Sequence, residues 1–591
     1  MKRRGLLKRN LAFLLTAVMA VGIVSYVPDN ASEVRAEGTT TTKTLGTSGI
    51  KNPSEPTENG WSGSYVYFGK YNGNAVKYRV LDNETTVFSK EENGIKARTM
   101  LLDCDSVLWA NSDNSKFRKD YDDVSANDWS ISDIKTYLNG SIFLENTDNF
   151  SAVEQAAIAA STKKEAYAGD TDNSNNGKDG DGVSYLDWEP LTGEKIFLLD
   201  AKEATNESYG YSNSSSRKKT GGNADWWLRS PDTDLGNCAG IVISGGHIHI
   251  SLVNGVSVGV SPALNIDLSS VLFSSAAEGG KISAEVSSVS GNNTASLSEV
   301  GSYTGSEWKL TLKDVSRNEF SVSENDIIGE SGDTITLNYK GATTYNKESA
   351  PNEYISVILE DSNGNFTHYG RVAQPTKAED SLQFTLPSGL SVGTYTLHVF
   401  SEQYNGDYKT DYASAFANVT LTVPDTLAPT ITNTSATRES EPNAMVKFTS
   451  SEAGTYYYEV VESGATPSGI DTTGAGTACV QGENTISLTN LSGAGAKDIY
   501  IIVKDAAGNK SDPSKVIIPK YVTQSEPVSQ DNSNETTSTE NQIITETVTP
   551  EIIRSPKTGE DGTQILWGLT LIVSLSVCFT LIGAQRKKNN R

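Results

Sequence analysis

Alternation between apolar and polar positions begins at residue 65 and predicts strands. Residues 65–69 and 76–81 alternate on either side of an Asn-Gly-Asn turn, a pattern typical of a β-hairpin. Residues 100–102 are all apolar, and residues 196–199 form another short apolar run. Such runs favour buried strands. The sequence therefore predicts a small sheet in this first folded region.

Helical periodicity replaces the alternation between these strands. Residues 130–139 place Ile131, Ile134 and Leu138 on one face of a helix, after a Ser in the position of a capping residue. Residues 151–160 begin with Ser and Glu in the spacing of a capping box. We predict two short helices here.

Residues 226–273 form the chain's densest run of aromatic and β-branched side chains with turn signals. Two Trp and an Arg-Ser-Pro corner come first, and GG and NG pairs interrupt the β-rich segments that follow. Asn-Gly between apolar residues, here Asn254 and Gly255, is a strong hairpin signal. We predict a small antiparallel meander over residues 235–265, closed by a buried strand over residues 260–268.

Short alternating segments make up most of the remaining chain. Residues 280–423 contain several of them, beginning with residues 308–312, and turn residues separate one from the next. Residues 425–520 repeat this pattern. Evenly spaced short strands predict β-sandwiches, so we expect two sandwich domains after the first folded region.

The N-terminus has the parts of a secretory signal. MKRRGLLKRN is basic, an apolar run follows to about Tyr26, and Val34 and Ala36 supply small residues for cleavage. We predict a signal peptide over residues 1–36, which is removed on export. Residues 37–63 are rich in Thr, Ser, Gly and Glu, which predicts a disordered leader.

The C-terminus predicts a stalk and a membrane span. Residues 521–553 are rich in Ser, Thr and Glu and contain no Lys or Arg, which is typical of a disordered, wall-spanning stalk. Residues 565–584 are mostly apolar and precede RKKNNR. A lone segment of this kind predicts a transmembrane helix with its basic end in the cytoplasm.

Residues 554–591 resemble the sortase sorting signal of Gram-positive surface proteins. Pro556-Lys557-Thr558-Gly559 precedes the apolar segment and the basic tail. The resemblance implies that a sortase cleaves between Thr558 and Gly559 and joins Thr558 to a cell-wall peptide. Ser555 stands where the usual motif has Leu, and a plain membrane anchor is the alternative.

Five separated blocks in residues 64–273 resemble a domain of unknown function widespread in Gram-positive surface proteins. Those blocks are VYFGKY (66–71), the segment 129–139, IFLL (196–199), WLRSP (227–231) and GVSPAL (259–264). The resemblance implies an α+β fold similar to C-type lectins and the formylglycine-generating enzyme. The family usually has Arg where Ser261 stands.

Residues 425–520 are similar to bacterial immunoglobulin-like modules. The resemblance lies in the start DTLAPTI (425–431) and the turn DAAGN (505–509), and it implies that these residues serve the fold. The expected fold class is thus multidomain: an α+β C-type lectin-like domain followed by all-β immunoglobulin-like sandwiches.

The charge and cysteine content of the chain limit the classes of function that it can have. The chain has a formal net charge of −24, which repels nucleic acid and argues against such a partner. Four Cys in 591 residues do not make a disulfide scaffold. Cys104 and Cys238 lie in one domain and could pair, or could be two buried thiols.

An acidic loop over residues 169–182 is the candidate calcium site. Asp170, Asp172, Asp179 and Asp181 offer carboxylate oxygens, which calcium prefers. The spacing differs from an EF-hand loop, because no Glu closes it, and a flexible solvated loop is the alternative. We expect no other cofactor.

Candidate ligand-binding residues lie in the first domain. Trp226 and Tyr185 offer rings for stacking, and Arg229 offers a charged donor. Neighbouring strand residues point to opposite faces, so we expect Trp227 in the core and Trp226 to be more exposed.

The sequence contains no P-loop or HExxH motif, and we expect no enzyme. The order of parts predicts a secreted protein anchored to the Gram-positive cell wall. We expect an adhesin that recognises a glycan or protein of a host or neighbouring cell through the lectin-like domain. A structural surface-layer component without a ligand is one alternative, and a surface enzyme of the formylglycine-generating-enzyme-like fold is another.

Overall fold

The computed structural model describes residues 43–46, 48–54, 61–88, 91–92, 95–122, 125–163, 186–187, 189–221, 225–283 and 295–523. The chain divides into two units, residues 1–520 and 521–591, and nearly all described residues belong to the first. No helix among the described residues is long and apolar enough to cross a membrane. The predicted signal peptide, sorting signal and span over 565–584 lie outside these residues.

The first unit is mostly β-structure with few helices. Its N-terminal domain contains the short helices α1 (Asp133–Asn139), α2 (Ala152–Ala157) and α3 (Ser214–Arg217). Its strands are β1 (Tyr65–Tyr71), β2 (Asn74–Thr85), β3 (Glu91–Glu92), β4 (Ile95–Lys96), β5 (Thr99–Cys104), β6 (Ser161–Lys163), β7 (Leu191–Glu194), β8 (Ile196–Phe197), β9 (Trp226–Pro231), β10 (Cys238–Val242), β11 (Ile248–Leu252), β12 (Ala263–Asp267) and β13 (Val271–Ala276).

The predicted first hairpin is confirmed. Strands β1 and β2 pair antiparallel, with Tyr71 opposite Asn74. Asn72 and Gly73 between them have φ of 51° and 79°, as a two-residue turn that follows the twist of its strands requires. Strand β2 also pairs with β5, so the hairpin forms one side of the domain's main sheet.

Both predicted helices are present, although they are shorter than expected. Ser151 and Glu154 form the predicted capping box at the start of α2, because each side chain accepts from the other residue's backbone N–H. Helix α1 begins later than predicted, with Ser132 rather than Ser130 as the capping residue. A 3-10 turn, Trp129–Ile131, takes the preceding positions.

The predicted meander over residues 235–265 is only partly correct. Strands β9, β10 and β11 form a three-stranded antiparallel sheet. The chain reverses between β10 and β11 near Gly245 and Gly246, whereas Asn254-Gly255 ends β11 without starting a partner strand. Strand β12 does not close this sheet. It lies between β5 and β8 in the main sheet, because its apolar residues are buried there.

Residues 43–54 were expected in a disordered leader, and for the described part of this range that prediction is wrong. Leu45 donates its N–H to the carbonyl of Ser274 over 2.8 Å, and its side chain is buried with Phe273 and Phe366. Ile50 is buried in the core of the N-terminal domain. Two apolar residues and backbone pairing are enough to hold this polar segment against the fold.

The middle sandwich follows, and it consists of two sheets over one apolar core. Its region contains β14 (Ala295–Ser296), β15 (Ser298–Glu299), β16 (Glu307–Lys313), β17 (Ser321–Val322), β18 (Asp326–Ile328), β19 (Thr334–Lys340), β20 (Glu353–Glu360), β21 (Phe366–Ala373), β22 (Asp380–Thr385), β23 (Gly393–Gln403), β24 (Asp411–Ala413) and β25 (Ala417–Val423). Strand β19 alternates strictly between exposed and buried residues, as a strand with one face on the core should.

Strand β16 was predicted within the sandwich but belongs equally to the N-terminal domain. Along one edge it pairs parallel first with β1 and then with β24, and along the other edge it pairs antiparallel with β13. Trp308, Leu310 and Leu312 are buried in the core of the N-terminal domain. The predicted boundary between residues 273 and 280 therefore does not separate two sheets, because one fourteen-stranded sheet crosses it.

The C-terminal sandwich has seven strands in two sheets over a separate core. Its strands are β26 (Ile431–Arg438), β27 (Ala444–Ser450), β28 (Gly454–Glu462), β29 (Thr477–Cys479), β30 (Gly482–Leu488), β31 (Lys497–Lys504) and β32 (Ser514–Ile518). The sheet orders are β26-β27-β30 and β29-β28-β31-β32. Two antiparallel sheets of three and four strands are typical of an immunoglobulin-like sandwich.

The position of Trp308 predicts that the N-terminal domain depends on β16. Trp308→Ala should destabilise that domain by about 3–5 kcal/mol, because a fully buried indole would leave a cavity. Val315→Ala, at a side chain that is 74% exposed, is the control and should cost less than about 0.5 kcal/mol. Calorimetric unfolding of both variants measures this. Equal, small shifts would contradict the burial of Trp308 in the core of the N-terminal domain.

Candidate functional site

Trp226 and Trp227 are both fully buried. The indole N–H of Trp227 donates to the carbonyl of Ser115 over 2.7 Å, and its ring packs on Phe117. Trp226 lies under Lys219, whose Nζ is 3.9 Å from the ring centroid. The expectation that Trp226 is the more exposed of the two is wrong. Strand β9 is covered on both faces. Its side chains still alternate between the two faces, but neither face is exposed to solvent.

A buried ion pair lies next to Trp226. Lys219 Nζ is 2.6 and 2.8 Å from the two carboxylate oxygens of Asp103 and 2.6 Å from Ser261 Oγ. Tyr211 Oη also donates to Asp103. Burial lowers the pKa of Lys219, although the charge of Asp103 opposes this. Lys219 thus places a cation at Ser261.

Arg229 is the centre of a second buried cluster. Its guanidinium pairs with Asp200 over 2.6 Å and with Glu203 over 2.7 Å, and it also donates to the carbonyl of Leu198. Lys163 Nζ is 2.7 Å from Glu203. All four charged side chains are buried, so their charges balance inside the domain. Arg229 is therefore a core residue, and the prediction that it contacts a ligand is wrong.

The two carboxylates of this cluster titrate differently because their contacts differ. Burial alone would raise the pKa of Glu203, but the charges of Arg229 and Lys163 outweigh it and hold this pKa at about 2. For Asp200, burial and then the charge of Glu203 raise the pKa. Glu203 has the closer contact with Lys163, since Asp200 is 3.7 Å from that nitrogen. The cluster therefore favours an ionised Glu203.

The other sequence-predicted site residues lie outside the described residues. These are the stacking candidate Tyr185, the calcium candidates Asp170, Asp172, Asp179 and Asp181, and the cleavage pair Thr558 and Gly559. Cys104 and Cys238 are described, and both are free and buried. They therefore do not form the disulfide that the sequence left open.

An exposed apolar surface lies where the sequence predicted no site. We call it the apolar rim and define it by five side chains between 43 and 51% exposed: Tyr121, Ile131, Leu235, Leu252 and Val256. They come from three segments of the N-terminal domain that neighbour one another in the fold, and a large exposed apolar patch often marks an interaction surface. Four of them lie on loops or at a strand end, where sequence periodicity carries no signal. Ile131 was predicted on the apolar face of a helix, but it lies in the 3-10 turn before α1 and is exposed.

Backbone hydrogen bonds hold the three segments of the rim together. The N–H of Arg118 donates to Val253 over 3.0 Å, and that of Asn127 donates to Gly236 over 3.1 Å. Val253 in turn donates to Asn237. The rim is therefore a property of the folded domain rather than of one loop.

An edge strand borders the rim. Strand β11 ends at the rim residue Leu252 and pairs with β10, and no other described strand pairs with it. An unpaired strand edge presents backbone donors and acceptors that another chain can meet. The rim and this edge together form the candidate binding face.

Three carboxylates in the C-terminal sandwich are close enough to share a cation. Oxygens of Asp425, Glu452 and Asp505 lie within 4.8 Å of one another, and burial and then the charges of the other two raise the pKa of Glu452. Asp505 also accepts from the N–H groups of Gly508 and Asn509. Its first role is to shape the predicted turn, while its geometry would suit a calcium ligand.

The same turn is attached to the start of its domain. Asn509 Nδ2 donates to the carbonyl of Asp425 over 2.9 Å. The two motifs that resembled immunoglobulin-like modules thus meet in space, and the contact fixes the chain where it enters the C-terminal sandwich.

These sites belong to a modular protein in which a mixed domain precedes two β-sandwiches. Residues 97–268, which include the rim and both buried clusters, match the family model described as "Domain of unknown function (DUF6273)". No curated protein matches the chain.

Solved structures that match are β-rich modules of low identity. Fibronectin(III)-like modules of Clostridium thermocellum CbhA are 16% identical, with a TM-score of 0.13, and the match covers 34% of this chain and 93% of that one. The D00-D0 domain of intimin is 15% identical, with a TM-score of 0.17, and the match covers 34% and 98%.

The buried position of Arg229 predicts a loss of stability when it is removed. Arg229→Ala should cost about 3–5 kcal/mol, because Asp200 and Glu203 would remain buried with Lys163 as the one cation of the cluster. Arg98→Ala is the matched control. Arg98 pairs with Glu84 at the exposed surface, where a pair contributes less than about 1 kcal/mol. Urea denaturation followed by Trp fluorescence measures the free energy of unfolding of both variants. Equal losses of stability would contradict the structural role of Arg229.

Proposed function

We propose that this protein is a binding protein of the Gram-positive cell surface that recognises a protein or glycan through its N-terminal domain. The observation that carries the proposal is the apolar rim, where Leu235 and Leu252 are each about half exposed. Burying the exposed half of such a side chain on a partner is favourable by about 1 kcal/mol. A rim of mainly aliphatic residues beside an edge strand suits a protein partner better than a glycan.

The charged clusters of the domain support binding rather than catalysis. Asp103, Asp200 and Glu203 each pair with a buried Lys or Arg. Side chains engaged in this way hold the domain together, and an enclosed charge pair has no contact with an outside substrate. The two following sandwiches serve as spacers that hold the binding face away from the wall.

The proposal includes secretion and covalent attachment to the cell wall. Its support is the order of segments in the sequence: a basic and apolar N-terminus, Pro556-Lys557-Thr558-Gly559, and an apolar segment with a basic tail. Sortase and a cell-wall peptide would be the partners in this attachment. The polar stalk over residues 521–553 would span the wall.

The rim predicts which substitutions abolish binding. The double variant Leu235→Asp, Leu252→Asp should lose at least tenfold in affinity for each ligand found, because each charge would have to be desolvated at the interface. Arrays of immobilised extracellular proteins and of glycans, probed with the purified chain, measure this.

The control for this experiment is Ile517→Asp. Ile517 is also an exposed apolar residue, but it lies in the C-terminal sandwich, so the variant should keep full binding. No ligand on either array would favour a structural surface component, and full binding by the rim variant would place the binding face elsewhere.

The sorting motif predicts how the protein is released from cells. Muramidase digestion should liberate it, whereas detergent alone should not, because Thr558 would be bonded to the wall. Thr558→Ala should make the protein extractable with detergent. Complete detergent extraction of the unaltered chain at its precursor mass would contradict wall attachment.

A further inference from the structure

A third buried charge cluster lies where the N-terminal domain meets the middle sandwich. Lys281 Nζ is 2.5 Å from Glu402 Oε1 and 2.6 Å from Asp411 Oδ2. These side chains are at most 1% exposed. Lys281 follows β13, Glu402 lies in β23, and Asp411 begins β24. Segments far apart in the chain thus bring one amine and two carboxylates together.

Neighbouring groups fix the two carboxylates in place. Ser356 Oγ and Tyr369 Oη donate to Glu402 Oε2 over 2.6 and 2.7 Å. The Asn405 N–H donates to Asp411 Oδ1 over 2.8 Å, and Lys309 Nζ lies 2.9 Å from Asp411 Oδ2. Each carboxylate therefore has one oxygen on Lys281 and the other on a different donor.

Aromatic rings enclose the amine of Lys281, and a hydrogen bond fixes the backbone of the same residue. The ring centroids of Phe273 and Tyr369 lie 4.7 and 5.8 Å from Lys281 Nζ. Arg371 Nη1 donates to the carbonyl of Lys281 over 3.0 Å. The amine is therefore held against Asp411 in a site closed to bulk water, as intramolecular reactions require.

We propose that Lys281 and Asp411 join in an intramolecular amide bond, with Glu402 as the proton carrier. A Lys ammonium and an Asp carboxylate together contain the atoms of one amide and one water molecule. The reaction removes two opposite charges from the protein interior, where ions are costly to hold, and it needs no oxidant or cofactor.

The positions of Lys281, Asp411 and Glu402 explain each step of amide formation. Burial disfavours the charge on Lys281, but Asp411 and Glu402 outweigh it and raise its pKa, so the unreacted group is an ammonium ion. A proton first passes from Nζ to Glu402. The neutral amine then attacks Cγ of Asp411, and the new N–C bond forms. Glu402 returns the proton to Oδ2, and a second proton from Nζ follows by the same path. The C–O bond breaks, and water leaves.

Two donors stabilise the intermediate of this attack. The Asn405 N–H faces Oδ1 and the Lys309 ammonium faces Oδ2 of Asp411. Fixed donors aimed at oxygens that gain negative charge lower the barrier of acyl transfer. Lys309 donates to the carbonyl of Gly406 as well, over 2.6 Å, so its nitrogen is held as a donor and Lys281 is the nucleophile.

The bond would join the end of the N-terminal domain to β24. Force applied along the chain would then pass from Lys281 to Asp411 without unfolding the strands between them. This role is independent of any ligand at the apolar rim, so the two proposals succeed or fail separately.

Peptide mapping of the purified full-length chain tests the bond directly. We expect trypsin to leave Lys281 uncleaved, in a branched peptide that also contains Asp411 and weighs one water less than its two parts. Recovery of the Lys281 and Asp411 peptides separately, at unmodified masses, would overturn the proposal. A branched peptide through Lys309 would overturn the choice of nucleophile.

Variants separate the roles of the three residues. Lys281→Arg keeps the positive charge but removes the amine. Glu402→Gln keeps the shape of the side chain but removes the proton carrier. Neither variant should yield a branched peptide. Asp411→Asn should still react, with loss of ammonia instead of water.

Lys447→Arg, at a surface pair with Glu483, is the control and should keep the bond. Circular dichroism confirms that each variant folds, and a Glu402→Gln chain linked as fully as the unaltered one would exclude Glu402 as the carrier.

Discussion

The pairing of β16 with β1 is the constraint on which the rest of the described structure depends. Through this parallel pairing, the main sheet of the N-terminal domain continues into the middle sandwich. Trp308 at its centre is buried in a core that includes residues as far back in the chain as Ile50. The N-terminal domain therefore ends structurally at Lys313, and the two domains share a strand instead of a flexible linker.

Charged residues inside this acidic chain are organised in clusters with balanced charge. Lys219 with Asp103, and Arg229 with Asp200 and Glu203, each place a cation against buried carboxylates. Unpaired, any of these groups would cost several kcal/mol in the interior. Their positions explain why residues that resemble binding groups in the sequence serve the core. The junction cluster at Lys281 follows the same rule, with Lys281 and Lys309 against Glu402 and Asp411.

Within the N-terminal domain, the side chains that build the core and those that face solvent come from different segments. Aromatic and charged residues of β9 are used in packing, while aliphatic residues on loops and at the end of β11 face solvent. This exposed surface lies in the region that matches a domain of unknown function. The middle sandwich is joined to this domain through the shared strand β16.

The sequence by itself determined local structure well. Asn72-Gly73 fixed the first hairpin, Ser151 with Glu154 fixed the start of α2, and strict alternation in β19 identified a strand with one buried face. These features depend on neighbouring residues alone, because turns, caps and strand faces are set by local hydrogen bonds and side-chain direction.

Only the tertiary structure decided what depends on distant contacts. Alternation in β9 predicted one exposed Trp, but a second layer covers the other face, so both are buried. Residues 308–312 predicted a strand, and their pattern holds no information about which sheet they join. The same is true of Lys281 and Asp411, which are brought together by pairing across the domain junction. A local pattern specifies which face of a segment is apolar, whereas long-range packing specifies what that face meets.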